Sequence, residues 1–274
     1  FVDKTNVHAF KKMLKSINEN ENNIIIVPDK FSLNSEQMFF EENNLSVSFS
    51  TQTYSLTKLA SKILEKKLRT KKLIDKNISV MIISQIITEK KDEFLYFKNI
   101  RDFGKISEDI YNFISQVLSS EISIFNDNIP IELKNKISDI NLILNDYKKR
   151  IRTGLVDSSF KFELFLNEIK NSDLIKNSNF YFGMFDSLTN QVKSLIKEIS
   201  KYAKSVSFSA SVIENKVNNN QIFDFYKSLN KNCEIVKSNS LDDFSNFLSL
   251  NFFSSNNKKF EIKLKNYVNF IYYS

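Results

Sequence analysis

Val7, Phe10, Met13, Leu14 and Ile17 recur at three- and four-residue spacing with lysines between them, which predicts an amphipathic helix over residues 7–17 with Asn6 as its N-cap. A polar stretch then leads into Ile24-Ile25-Ile26-Val27, apolar on both faces and stopped by Pro28-Asp29. That is the pattern of a buried parallel strand. Helical spacing returns over 35–42, 45–49 reads as a short second strand, and 50–68 reads as a helix through Leu56, Leu59, Ala60, Ile63 and Leu64.

From about residue 75 to 170 the pattern is helical, with segments at 78–88, 106–118, 131–152 and 158–169 and no strand between them. Strands resume at 179–185 (NFYFGMF) and, after a helix over 190–202, at 205–212 (SVSFSASV). Helix, strand and helix follow at 223–229, 233–236 and 241–251, ahead of a final apolar segment at 267–273. The expected architecture is therefore an α/β core made of residues 1–70 and 175–274, interrupted by a helical insertion over 71–174. No internal repeat is visible.

The 274 residues are 42% hydrophobic and 26% charged, enough to bury a core. Only three glycines and two prolines are present, which argues against turn-rich sandwiches and barrels. One cysteine, Cys233, cannot close an intramolecular disulfide, and one histidine, His8, cannot complete a His-based zinc site. No apolar run is long enough to span a bilayer, and residues 1–18 lack the apolar centre of a signal peptide, so the expected setting is a reducing cytoplasm without membrane contact. The first residue is Phe, which suggests a fragment of something longer. A formal charge of +7 suits a polyanion partner only weakly, since it accompanies a chain-wide enrichment in Lys, Asn, Ile, Phe and Ser.

Candidate chemistry is sparse. A phosphate-wrapping loop needs two glycines around four residues and then Lys-Ser or Lys-Thr, and none exists here. Its nearest vestige is Lys4-Thr5 before the first helix, where such a loop would end if a strand preceded Phe1; Asp3 would there repel phosphate. His8 has no recognisable partner, and Cys233 reads as a small buried hydrophobe. Adjacent acids such as Glu41-Glu42 and Asp242-Asp243 diverge instead of sharing a metal. Basic clusters at 66–72, 148–152 and 258–259 read first as solvated faces, with phosphate contact as the alternative.

The segment IIIVPDKFSLNSEQMFF, residues 24–40, resembles the N-terminal region of the AddB/RexB subunits of bacterial ATP-dependent helicase–nucleases, through Pro28, Asp29 and Glu36, with Lys30 in place of the usual Gln. Ser50 and Leu59 are similar to the family segment that opens the next helix. Lys136, Asp139 and Tyr147, followed by Asp157, resemble a family helix and the Asp after it. FYFGMFDSLTNQ, residues 180–191, is similar to the family's strand and turn, with Gly183 where the family carries Asp; Asp186 lies three residues further on.

The resemblance implies a P-loop-NTPase-like, superfamily I helicase-like parallel sheet. It further implies a domain that has lost motor activity and serves as scaffold and DNA path in double-strand-break processing, with an AddA-type helicase–nuclease partner and double- and single-stranded DNA. Catalytic residues and a metal are not expected. Lys4, Thr5 and Gly183 mark a vestigial nucleotide site, and the family's iron–sulfur cluster would lie outside this chain. Lys30, Ser50 and Lys58 are the DNA-contact candidates, because they follow the first two predicted strands, where ligands gather in open α/β sheets. Two alternatives stand: a live ATPase with magnesium, its glycine loop upstream of Phe1 and its acid at Asp186, or an interaction module without DNA contact.

Overall fold

The computed structural model describes residues 1–3, 5–99, 103–120, 130–211 and 221–229. In chain order the elements are β1 (Val2–Asp3), α1 (Asn6–Lys15), β2 (Asn23–Ile26), α2 (Ser32–Asn43), β3 (Thr51–Tyr54), α3 (Leu56–Ile63), α4 (Glu65–Leu68), β4 (Lys72–Leu73) and α5 (Lys76–Glu89). Then come α6 (Phe103–Ser120), α7 (Ile131–Arg152), β5 (Leu155–Val156), α8 (Ser158–Glu168), α9 (Asp173–Lys176), β6 (Asn179–Phe182), α10 (Asn190–Tyr202), β7 (Ser205–Phe208), β8 (Ala210–Ser211) and α11 (Gln221–Leu229). The chain folds as two compact units, residues 1–52, 181–186 and 207–274 in one, and 53–180 with 187–206 in the other. The strand expected at 233–236 and the segments at 241–251 and 267–273 lie outside the described residues.

The main sheet is parallel and four-stranded, of order β3-β2-β6-β7. β2 and β6 are buried at every residue, as NIII and NFYF require of central strands covered on both faces. β8 continues the line of β7: Ser209 N–H donates to the Phe182 carbonyl, while Phe1 donates to Phe208 and accepts from Ala210. On that far side β1 pairs in parallel with β8, Val2 opposite Ala210 and Asp3 opposite Ser211. The buried face of α1 (Phe10, Met13, Leu14) packs with Ile25, Val27, Phe39, Tyr181 and Met184 into one apolar cluster.

Two sequence expectations shift here. The N-cap of α1 is Thr5 and not Asn6: the Thr5 Oγ1 accepts from the His8 N–H at 3.3 Å. The second strand is β3, Thr51–Tyr54, and not 45–49. α2 ends on Asn44 in the left-handed region (φ 52°), with Leu45 N–H bonded back to the Phe40 carbonyl, a Schellman-type stop. The Ser48 and Ser50 hydroxyls then reach Glu19, turning Val47 and Phe49 outward, and pairing with β2 begins only where Asn23 N–H meets the Ser50 carbonyl.

The second unit is helical. α5, α6 and α7 share a core of Ile83, Ile86, Ile87, Phe94, Ile110, Ile114, Ile143 and Tyr147. The expectation of no strand in this region is corrected by a two-residue parallel pair, β4 with β5. The motif residues of α7 are structural. Buried Asp139 accepts the backbone N–H groups of Leu95, Tyr96 and Phe97 at 3.0, 2.7 and 2.9 Å. The buried Tyr147 hydroxyl donates to Asp157 Oδ2 at 2.7 Å, and the other Asp157 oxygen caps α8 through the Phe160 N–H at 2.7 Å.

Candidate functional site at the strand ends

Open parallel sheets gather ligands past the carboxyl ends of their strands. In the first unit that edge is formed by residues 27–31 after β2, 183–186 after β6, and the start of α1. Gly183 prolongs β6 by donating its N–H to the Ile26 carbonyl at 3.0 Å. Its Cα faces the core so closely that a β-carbon would stand 2.2 Å from Phe10 Cδ2, 2.6 Å from Phe10 Cε2 and 2.7 Å from Ser209 Oγ. Glycine is required by packing here, not by its backbone angles.

Beyond Gly183 the chain turns sharply. Met184, 7% exposed, holds φ at 62°, a left-handed conformation that costs about 1–2 kcal/mol in a non-glycine residue. The turn is tied to α1 by Asn6, whose Nδ2 donates to the Phe185 carbonyl at 3.2 Å. The Asp186 carboxylate projects into solvent and lies 3.5 Å from Lys30 Nζ, with the two side chains 72% and 65% exposed. Such a pair is weak. The same ammonium lies 4.7 Å from the Phe31 ring centroid.

Of the sequence candidates, Thr5, Lys30 and Gly183 fall at this edge. Thr5 spends its hydroxyl on capping α1, and Lys4 lies outside the described residues. Ser50 does not fall here: it precedes β3, and its carbonyl pairs with the first residue of β2, so it stands at the opposite end of the sheet. Its selection rested on a strand at 45–49 that the Schellman stop and the Glu19 contacts displace. Lys58 belongs to the second unit, in the first turn of α3 after β3, exposed, with its N–H capped by the Ser55 hydroxyl at 3.3 Å. Phe10, Asn6, Met184 and Ser209 were not singled out as site residues. Phe10 reads only as a core position on α1, and no one-dimensional pattern pairs it with Gly183.

The residues at this edge do not fit a magnesium nucleotide. Only two positions separate β1 from α1, whereas a phosphate-wrapping loop needs eight residues with backbone N–H groups converging on the anion. Gly183 has no room for a side chain, and the Asp186 carboxylate stands in solvent beside Lys30. Among the described residues no group of three or more His, Cys, Asp or Glu side chains is arranged to hold a metal ion. No helix among them is long and apolar enough to cross a membrane.

The family model described as ADDB, N-terminal matches residues 3–242. Among curated proteins, the chain is 23% identical over 212 residues to an ATP-dependent helicase/deoxyribonuclease subunit from Listeria monocytogenes serotype 4a (strain HCC23), covering 75% of this chain and 18% of that protein. It is 25% identical over 192 residues to the protein of the same name from Staphylococcus aureus (strain JH9), covering 67% and 17%. The chain thus spans less than a fifth of the length of these relatives. It belongs to the AddB N-terminal family.

Proposed function

We propose that this member of the AddB N-terminal family is a motor-inactive, P-loop-NTPase-like domain. In this reading it acts as scaffold and DNA path for a helicase–nuclease complex with an AddA-type partner, in double-strand-break processing and recombinational repair. The observation that carries the reading is the direct passage from β1 to α1: the strand–loop–helix order of a nucleotide-binding core is kept while its loop is reduced to two residues. The packing of Gly183 on Phe10 supports it from the end of β6.

In this reading residues 1–70 and 175–274 form the helicase-like core and 71–174 its helical insertion. All four strands of the main sheet lie outside 71–174, which supports that division. Lys30 and Lys58, each exposed just past a strand end, are the proposed DNA contacts. The alternative reading, a live ATPase with a glycine loop upstream of Phe1, is decided by the magnesium–ATP arm of the test below.

The test is a fluorescence-anisotropy titration with a duplex bearing a single-stranded tail, at several salt concentrations, with and without magnesium–ATP. The expected result is binding that weakens steeply with salt and ignores ATP. No binding at low salt removes the DNA role, and an ATP effect overturns the motor-inactive reading.

A further inference from the structure

The basic runs at 66–72 and 148–152 stand far apart in the chain, and the helical unit brings them to one surface. β4 and β5 pair in parallel, the Lys72 N–H donating to the Gly154 carbonyl at 2.9 Å, which carries the first run alongside the end of α7. The Phe160 ring joins them: Lys71 Nζ lies 5.6 Å and Arg152 Cζ 5.7 Å from its centroid. Several of these cations are already engaged, Lys67 with Glu168, Arg69 with Glu65, and Arg150 with Glu89 and Asp146. Lys71 and Lys148 are not: neither has an acidic partner among the described residues.

Beside that ring a cavity of about 200 Å³ opens between α6, α7, α8 and α10, walled by Leu118, Ile151, Phe160, Phe162, Leu166 and Leu195. Its polar groups are few. Lys148 and Arg152, one turn apart on α7, line it together with Glu163, which takes up Arg152 at 2.8 and 3.0 Å and so cancels that charge. The Ser159 hydroxyl and the Gln191 amide line it as well, and neither side chain has a hydrogen-bond partner among the described residues.

A cavity of this size falls below the about 300–1,000 Å³ of drug-sized ligand sites and suits one flat ring system. A nucleotide matches each feature: the base lies against the aromatic walls, its edge exchanges hydrogen bonds with Gln191 and Ser159, and its phosphate meets an unpaired ammonium. A strand is favoured over a free nucleotide because the unpaired lysines are two and stand apart, Lys148 in the cavity lining and Lys71 at Phe160 outside it. It is favoured over an acidic peptide because Phe160 and Phe162 offer π-systems on which a base stacks and an aliphatic side chain does not.

We infer that this cavity takes one base of single-stranded DNA, with the phosphates on either side of it held by Lys71 and Lys148. The inference rests on the DNA-path reading above and gives the helical unit a place on that path.

The test uses the whole chain and fluorescence anisotropy with two labelled strands of about twelve nucleotides, an oligothymidylate and an abasic counterpart that keeps the phosphates and lacks the bases. Wild type is compared with Ser159→Leu, which fills the cavity, and with Lys71→Gln/Lys148→Gln, and thermal melting is followed for each. The wild type is expected to bind the thymidylate about tenfold more tightly than the abasic strand, and Ser159→Leu to erase that preference with melting unchanged. The double lysine variant is expected to weaken both strands and to flatten the slope of log affinity against log salt by about 1.4. If Ser159→Leu melts early, the salt slope of the lysine variant, which alters only surface charge, decides the matter. Preference and slope both unchanged overturn this site and leave the DNA-path reading standing. Thymidine monophosphate binding as tightly as the strand makes the occupant a free nucleotide and overturns the proposal. A peptide of alternating Glu and Leu that binds more tightly than the strand, and loses that binding in Ser159→Leu, assigns the cavity to a protein partner and overturns it too. No binding of either strand by the wild type at low salt removes the DNA-path reading and this site together.

Discussion

The Phe10 ring occupies the space that any side chain on Gly183 would need, with Cδ2 2.2 Å from the position of a β-carbon. Helix α1 and the end of β6 are thereby locked at a distance only glycine permits.

Gly183→Ala is expected to destabilise the protein by about 1–3 kcal/mol through overpacking, and Gly183→Asp by more, because it adds a carboxylate beside an apolar cluster. Phe10→Leu costs stability alone, yet should relieve part of the Gly183→Ala penalty. Urea denaturation of the two singles and the double reads this as a coupling energy. Additive effects would show that the ring is not the obstacle.

Tyr147 and Asp157 form a buried donor–acceptor pair at 2.7 Å. Burial, then the Asp157 charge, pushes the Tyr147 hydroxyl well above the usual phenol range, so it remains a donor throughout the working pH range. Tyr147→Phe should cost about 1–3 kcal/mol by stranding one carboxylate oxygen. Asp157→Ala should cost more, since it orphans the hydroxyl and removes the cap of α8, worth about 1 kcal/mol by itself. Chemical denaturation ranks the two, and the reverse order would refute the capping role.

Asp139 gathers three N–H groups of the 95–97 turn onto one buried carboxylate. Asp139→Ala is expected to cost about 3 kcal/mol, with Asp139→Asn intermediate because one of its two terminal groups can no longer accept. Hydrogen exchange should show loss of protection concentrated at Leu95, Tyr96 and Phe97. Protection unchanged at these amides would mean the turn holds itself.

Glu42 accepts from Lys11 and Lys15 at 2.9 Å each, and these bonds, Lys11 first, hold its carboxyl below the usual carboxylate range. A lowered folded-state value means the contribution is full above the ordinary carboxylate pKa and is lost as pH falls through the folded value. With both lysines partly in water, Glu42→Gln should cost about 0.5–1 kcal/mol at neutral pH. The gap from wild type should close as melting is repeated at successively lower pH through the carboxylate range; a gap independent of pH would exclude the ion pairs as its source.

Much of this protein is legible along the chain because local physics decides it. Ile24-Ile25-Ile26-Val27 can only be a strand covered on both faces, and the spacing of Phe10, Met13 and Leu14 can only be one helical stripe. The helices at 131–152 and 190–202 match their patterns end to end. The family resemblance is written in such elements too, and the matched Asp139, Tyr147 and Asp157 hold the helical unit together.

What the tertiary structure alone decided involves residues far apart in sequence competing for the same space or the same hydrogen bonds. Residues 45–49 have strand periodicity, but Glu19, some thirty positions away, captures Ser48 and Ser50 and turns that periodicity inside out, moving the strand to Thr51. Gly183 reads in one dimension as an acid gone missing. In three dimensions it is a glycine demanded by Phe10, because two chain segments separated by more than 170 residues meet closer than a methyl group allows.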